Sequence, residues 1–226
     1  MAEREKRARR PNAASKRPHA RSSSQADPTP RSPKGARTRA RLLEAAKRVF
    51  ERDGFLDARI ADIADEASMS HGSFYHYFNS KEHIFREVAE QQEVSLLSFV
   101  TGEDGPLDPI ERIRAANRAY LTAYIESAEI MKVIEEVSRY DDEVRAARAA
   151  RDDEFASRLE RSIRRLQKEG VADARVDPWY AANILGGMVA KFAEMYVRQG
   201  TYELEKALDQ LTLLWGNAIG SPSPPS

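Results

Sequence analysis

From Gly35 to Gly220 apolar residues recur at spacings of three and four, with no sustained strand-like alternation, and the pattern predicts an all-α chain. The first period, Leu42, Leu43, Ala46, Val49 and Phe50, marks a helix over 35–53 with Gly54 as its stop, after which Phe55 and Leu56 tuck under the next pair. Ile60, Ile63, Ala64 and Ala67 make one face of a short helix, with Asp62, Asp65 and Glu66 opposite. Ser68-Met69-Ser70 then breaks the period. Ser70 is a good N-cap for a second short helix whose rings, Phe74, Tyr75 and Phe78, are spaced to face the first. Ser80 opens a further helix through Ile84, Phe85, Val88, Val94, Leu96, Leu97 and Phe99 to about Val100, roughly 30 Å long at 1.5 Å per residue. It is the obvious rod between an N-terminal and a C-terminal unit.

After a loop at 101–108, Asp108-Pro109 is a cap followed by Pro at the first helical position, and Asp177-Pro178 repeats it. The first opens a helix carrying Ile110, Ile113, Tyr120, Leu121 and Tyr124, and a shorter one with Ile130, Met131, Val133, Ile134 and Val137 follows. Asp141 to Glu169 predicts a long charged helix, ended by Gly170, with Val144, Ala147, Phe155, Leu159, Ile163 and Leu166 inside. Its charges are spaced as Asp141/Arg145, Arg148/Asp152 and Glu154/Arg158 pairs on a solvated face. The last two helices carry Ala182, Gly186, Val189, Phe192 and Leu204, Leu208, Leu211, Trp215, more apolar surface than one side of a protomer requires. Small residues there permit close helix approach.

The outward side of the short helix after Ser70 presents His71, Ser73, His76 and Tyr77 and no carboxylate, in a region rich in Asp and Glu. Such a face suits a polyanion, and a second helix lying in a DNA major groove presents hydrogen-bonding side chains of this kind to bases and phosphates. The residues Ile60-x-x-Ile63-Ala64-x-x-Ala67-x-Met69-Ser70-x-Gly72-x-Phe74-Tyr75-x-Tyr77-Phe78-x-x-Lys81-Glu82 resemble the TetR family of bacterial transcription regulators over about 36–85. The resemblance implies a helix-turn-helix domain at 35–85 and a ligand-binding and dimerisation domain at 86–220. It places His71, Ser73 and His76 near base edges, and Tyr75, Tyr77 and Lys81 on phosphates. Arg37, Thr38 and Arg59 fall where the first two helices start beside the backbone. The last two helices become a four-helix dimer interface built on Ala182, Gly186, Val189, Leu204, Leu208, Leu211 and Trp215. The chain departs from the family at the turn, where Ser68 replaces the usual Gly and must take a left-handed conformation. It departs again at Asp57-Ala58-Arg59, where a Thr or Ser is usual and Asp57 is the alternative cap.

Charge sharpens this picture. The net charge is zero, but residues 1–34 hold ten Lys and Arg against three Asp and Glu, so the remainder is acidic by the same margin. That segment, with five Pro and almost no large apolar residue, predicts a disordered tail, as does 221–226; it is either simply solvated or an arm that follows DNA. Without Cys, disulfides and thiolate chemistry are excluded. No run of 18 apolar residues and no secretory h-region are present, which points to a cytoplasmic protein with no membrane partner. His71, His76 and His83 lack the i, i+4 spacing of a helical metal site, and no phosphate loop or nucleophile elbow occurs, so no metal, cofactor or enzymatic activity is expected.

Tyr120, Tyr124, Met131, Ile134, Phe155, Leu159, Met188, Phe192 and Met195 supply the lining of an apolar pocket, or else fill the core. The reading is a homodimeric regulator, a repressor released from a palindromic double-stranded operator by a small apolar effector. A DNA-binding regulator controlled by a protein partner, or by none, stays open beside it, and a helical enzyme or scaffold is the third reading.

Overall fold

The structure is a computed structural model and describes residues 32–98 and 108–220. Its helices are α1 (Pro33–Asp57), α2 (Ile60–Glu66), α3 (His71–Phe74), α4 (Lys81–Ser98), α5 (Pro109–Glu126), α6 (Ala128–Val137), α7 (Asp142–Lys168), α8 (Pro178–Gln199) and α9 (Leu204–Ile219). Among the described residues there is no strand. The two expected tails, except for residues 32–34, and the expected helix end and loop over 99–107 lie outside the described residues.

Local chemistry sets the helix ends. Ser32 caps α1, its Oγ accepting from the Gly35 amide at 3.1 Å, and Pro33 follows, so the helix starts two residues before Gly35. Gly54 at φ 74° breaks it as expected, but one further turn reaches Asp57. That turn consumes Asp57, and Arg59 caps α2 with no side-chain hydrogen bond. Asp108, Asp141 and Asp177 each accept backbone amides at the starts of α5, α7 and α8. Ser68 takes φ 53°, the left-handed conformation its position demands.

Phe50, Phe55 and Phe85 meet edge-on or stacked, with centroids 4.9 to 6.0 Å apart, and with Phe74, Phe78 and Ile63 they form the core of α1–α4. In the C-terminal part α7 packs chiefly on α8, and α5 on α9. α4 is not the sole connection between the two parts. α6 lies against α1, with Met131 and Ile134 fully buried, so these two fill core rather than line a pocket.

The inward face of α7 carries a buried charge. Arg151, at 5% exposure, sits in the apolar period between Ala147 and Phe155, and its Nη1 donates to Oε2 of Glu93 on α4 at 2.6 Å. Of the three expected pairs only Glu154/Arg158 forms. Asp141 instead accepts from Arg86 of α4 at 3.0 Å, Arg145 meets Asp142, and Arg148 meets Glu194 at 2.9 Å. Asp141 and Arg148 thus find partners on α4 and α8, while Arg145 and Asp152 pair with neighbours on α7 itself.

The expected dimer residues are also relocated. Ala182, Gly186, Val189, Leu208, Leu211 and Trp215 are buried within the protomer, and Leu204 is half-buried. A Cβ on Gly186 would stand 3.2 to 3.3 Å from Leu159 and Phe155, so its smallness serves the contact of α8 with α7 of the same chain. What α8 and α9 leave outside is Trp179, Tyr180, Ile184, Leu213 and Leu214, each at least half exposed.

Breaking a buried pair strands the surviving charge in low dielectric, whereas removing both members can be nearly neutral. Arg151→Met is expected to cost about 3–5 kcal/mol, and Glu93→Leu/Arg151→Met to recover more than half of it. Urea unfolding at fixed protomer concentration measures both.

Candidate nucleic-acid interface and effector recess

The turn between α2 and α3 is closed by amides: Ser68 donates to the Asp65 carbonyl at 2.9 Å and Met69 to that of Ala64 at 2.8 Å. Ser70 then caps α3, its Oγ accepting from the Ser73 amide at 3.3 Å and lying 2.7 Å from Ser73 Oγ. Phe74 and Phe78 are fully buried, which turns His71, Gly72, Tyr75 and His76 to the surface, with Ser73 half-buried. His71 and Tyr75 touch edge-on at 5.3 Å between centroids.

The two tyrosines exchange the places their spacing suggested. Tyr75, expected to face α2, is 48% exposed, and Tyr77, expected outward, is half-buried against the core. After Phe74 the chain tightens, with the His76 amide bonding Ser73 and the Tyr77 amide bonding Phe74, both three residues back. A three-residue turn advances 120° per residue instead of 100°, and the side chains slip in phase.

Arg37 and Arg59 are exposed at the starts of α1 and α2. Thr38 donates its hydroxyl to the Lys34 carbonyl at 3.0 Å, so its proton is used inside the helix. Lys81 does not extend outward as a phosphate anchor. Its Nζ donates to the carbonyls of Phe55, Leu56 and Ala58 at 2.7, 3.1 and 2.9 Å and stands 4.7 Å over the Phe55 ring. These carbonyls end the broken α1, and an ammonium with three donors fits them.

Of the nine expected pocket residues, only Tyr120 and Phe155 line the recess of about 410 Å³ between α7, α8 and α5. Tyr124 is buried, and Leu159 packs over Gly186. Met188, Phe192 and Met195 line a separate groove of about 540 Å³ with Tyr202, Leu211 and Leu214, along α8 and α9. The remaining walls, outside the apolar set, are largely polar: Arg148, Arg151, Asp152, Asn183, Lys191 and Glu194. The available signal was Arg151 occupying an apolar slot of its helix.

Electrostatics in this region follow burial. It pushes the Glu93 carboxyl above its ordinary range in spite of Arg151 and Arg148, and pushes the Tyr120 hydroxyl up to about 12. Burial also opposes the Asp141 charge, yet Arg86 and the amides of Val144 and Glu143 hold that carboxyl below the usual aspartate range. Among the described residues no group of three or more His, Asp or Glu is placed to hold a metal. No described helix is long and apolar enough to cross a membrane.

A four-helix unit, α1–α4, with a helix-turn-helix at α2–α3, packed through α4 and α6 against the five-helix bundle α5–α9, defines a two-part regulatory architecture. Residues 42–88 match the family model described as bacterial regulatory proteins, tetR family, and residues 106–218 match that of the tetracyclin repressor-like C-terminal domain. The chain belongs to the TetR family of bacterial regulatory proteins. It is similar to the HTH-type transcriptional regulator YdgC of Bacillus subtilis (strain 168), 47% identical over 55 residues, 24% of this chain and 28% of that one. It is likewise similar to the HTH-type transcriptional repressor NicS of Pseudomonas putida, 43% identical over 54 residues, 24% of this chain and 26% of the repressor. These matches span about a quarter of either relative. Among solved structures, the fatty acid degradation regulator FadR from Bacillus halodurans aligns with TM-score 0.69 at 15% identity, covering 86% of this chain and 100% of that one. GusR of Salmonella enterica aligns with TM-score 0.68 at 18% identity, covering 81% and 96%. Both share the fold.

Replacing Lys81 tests its reassigned place. Lys81→Met strands three carbonyls at the end of α1 and is expected to lower stability by about 2 kcal/mol, read by urea unfolding. The slope of DNA affinity against salt should stay unchanged, because no phosphate contact is lost.

Proposed function

We propose that the chain is a transcription regulator that reads a palindromic operator as a homodimer and answers to a small effector in the recess between α7 and α8. The observation that carries the reading is the outward face of α3. His71, Ser73, Tyr75 and His76 stand there without a carboxylate, backed by fully buried Phe74 and Phe78, while Arg37 and Arg59 are exposed at the starts of α1 and α2. On this reading residues 35–85 meet DNA, with His71, Ser73 and His76 at base edges and Tyr75, Arg37 and Arg59 on phosphates. Residues 86–220 bind the effector and the second copy. Tyr77, Thr38 and Lys81 support the reading surface from beneath.

The apolar stripe of α8 and α9 is the face for the second copy. Tyr180, Ile184 and Met188 follow one another at four-residue spacing on α8, beside Leu214 on α9 and the groove over Phe192 and Met195. A contiguous apolar strip of this kind on a surface otherwise dense in charge is what association buries. The polar recess argues against a purely apolar effector. Its position supports small-molecule control over control by a protein partner, since it adjoins the residue that binds α4. Release of the operator follows if the effector binds one arrangement of α4 better than the other.

Selection from a random DNA pool should return an imperfect palindrome whose half-sites lie about one helical turn, roughly 34 Å, apart. His76→Ala should change the preferred base at one position of each half-site. Arg59→Ala should weaken binding to all sequences and reduce the salt slope by about one. A protein that enriches no sequence removes the proposal.

Association is tested separately. Ile184→Glu/Leu214→Glu is expected to yield a folded monomer at micromolar concentration in sedimentation experiments. Leu208→Glu should instead unfold the protomer, because Leu208 is fully buried in it.

A further inference from the structure

We infer that the recess between α7 and α8 takes a small organic anion, a carboxylate on an aromatic or branched apolar body, held by the outer edge of the Arg151 guanidinium. This rests on the reading of the recess as the effector site, and it names the effector's chemical class.

The charges in the recess are unequally committed. Glu194 is held twice, by Arg148 Nη2 at 2.9 Å and by Lys191 Nζ at 2.7 Å. Arg151 is held firmly on its inner side only, where Nη1 meets Glu93 at 2.6 Å. Its outer edge, Nε and Nη2, points both donors at one oxygen of Asp152, at 3.1 and 2.7 Å. Asp152 is the next residue in the chain, and its side chain is 60% exposed. A ligand carboxylate brings two oxygens to that two-donor edge and bonds it in the fork geometry guanidinium favours. The displaced Asp152 carboxylate, 60% exposed, turns to water, and the incoming carboxylate keeps the buried Arg151 paired. A cationic ligand would meet Arg148, Arg151 and Lys191 and would have to take Glu194 from two donors.

The body of the ligand has a place beside this edge. The rings of Tyr120 and Phe155 are inclined at 50° with centroids 5.6 Å apart, and they share the recess with Ala156, Ala182 and Ala190. At Gly187 an added Cβ meets nothing within 4 Å, so the floor is open there. Occupancy also bears on α4. A bound carboxylate replaces Asp152 as the second anion on the guanidinium that holds Glu93 and, with two oxygens where Asp152 offers one, competes with Glu93 more strongly; Glu93 Oε1 is already buried without a hydrogen-bond partner, with Arg148 Nε 3.9 Å away. The weakened Glu93 contact loosens the joint of α4 with α7.

The probes are 4-phenylbutanoate, its uncharged amide and 4-phenylbutylammonium, titrated calorimetrically into the full-length dimer. The carboxylate should bind about tenfold or more tightly than either of the others, the margin a charge-assisted bidentate contact supplies. Asp152→Asn should tighten it several-fold by removing the competitor. Gly187→Leu, which fills the open floor, should abolish binding while leaving the thermal unfolding temperature intact. Equal binding of amide and carboxylate, an unchanged affinity in Asp152→Asn, or binding retained in Gly187→Leu would each overturn the inference, as would no binding at all. The regulator reading fails separately: a protein that binds the carboxylate by these criteria but shifts no selected DNA keeps the anion site and loses the operator. Carboxylate binding without release of bound DNA sinks the link through Glu93.

Discussion

The contact on which the rest depends is the buried ion pair between Glu93 of α4 and Arg151 of α7. Taking two charges out of water costs several kcal/mol each, and their attraction returns this only when the geometry is good, so the pair contributes definition more than stability. Here it defines register. Seven residues earlier on α4, Arg86 bonds Asp141, the residue that caps α7. The two contacts have opposite polarity: cation to anion at one end of the joint, anion to cation at the other. A slip of α4 by one turn, about 5.4 Å, leaves Glu93 and Arg151 buried without each other. The joint therefore has few admissible positions.

The other end of α4 is fixed as firmly to the reading unit. Lys81 fills the carbonyl end of α1, and Glu87 accepts from Arg39 and from His83, with Arg39 also 4.7 Å over the Phe78 ring beneath α3. α4 thus moves with α1–α3 while its far half answers to α7. Since α6 also packs on α1, the bundle grips the reading unit at two places. Two contacts set an orientation where one would set only a distance, and on the proposed dimeric reading that orientation is what aims the two copies of α3 at successive grooves.

Much of this was legible in the chain. The 3.6-residue period of apolar positions and the Asp-Pro starts gave the helices because caps and periodicity are local properties. Ser68 could be read as left-handed because its place in the turn allows little else. The tyrosine exchange on α3 was not legible, since it follows from a tightening after Phe74 that spacing does not announce. The residues expected at the dimer interface pack within the protomer for a different reason. α8 has apolar stripes on two sides, Ala182, Leu185 and Val189 within and Tyr180, Ile184 and Met188 without, and periodicity cannot say which one meets the chain's own helices. A search for apolar lining also passed over arginines, although Arg151 stands in an apolar slot of α7.

That double-sided α8 has a mechanical consequence. Its inner side holds Gly186 tight beneath Phe155 and Leu159, while one residue on, Gly187 faces open space. Adjacent glycines thus divide the work, one closing α8 onto α7 and the other leaving room in the recess. On the other side of α7, the ion pairs of Glu93 with Arg151 and of Arg86 with Asp141 tie it to α4. On the reading proposed above, a ligand held in the recess acts on α4 through the Arg151 guanidinium that also bonds Glu93.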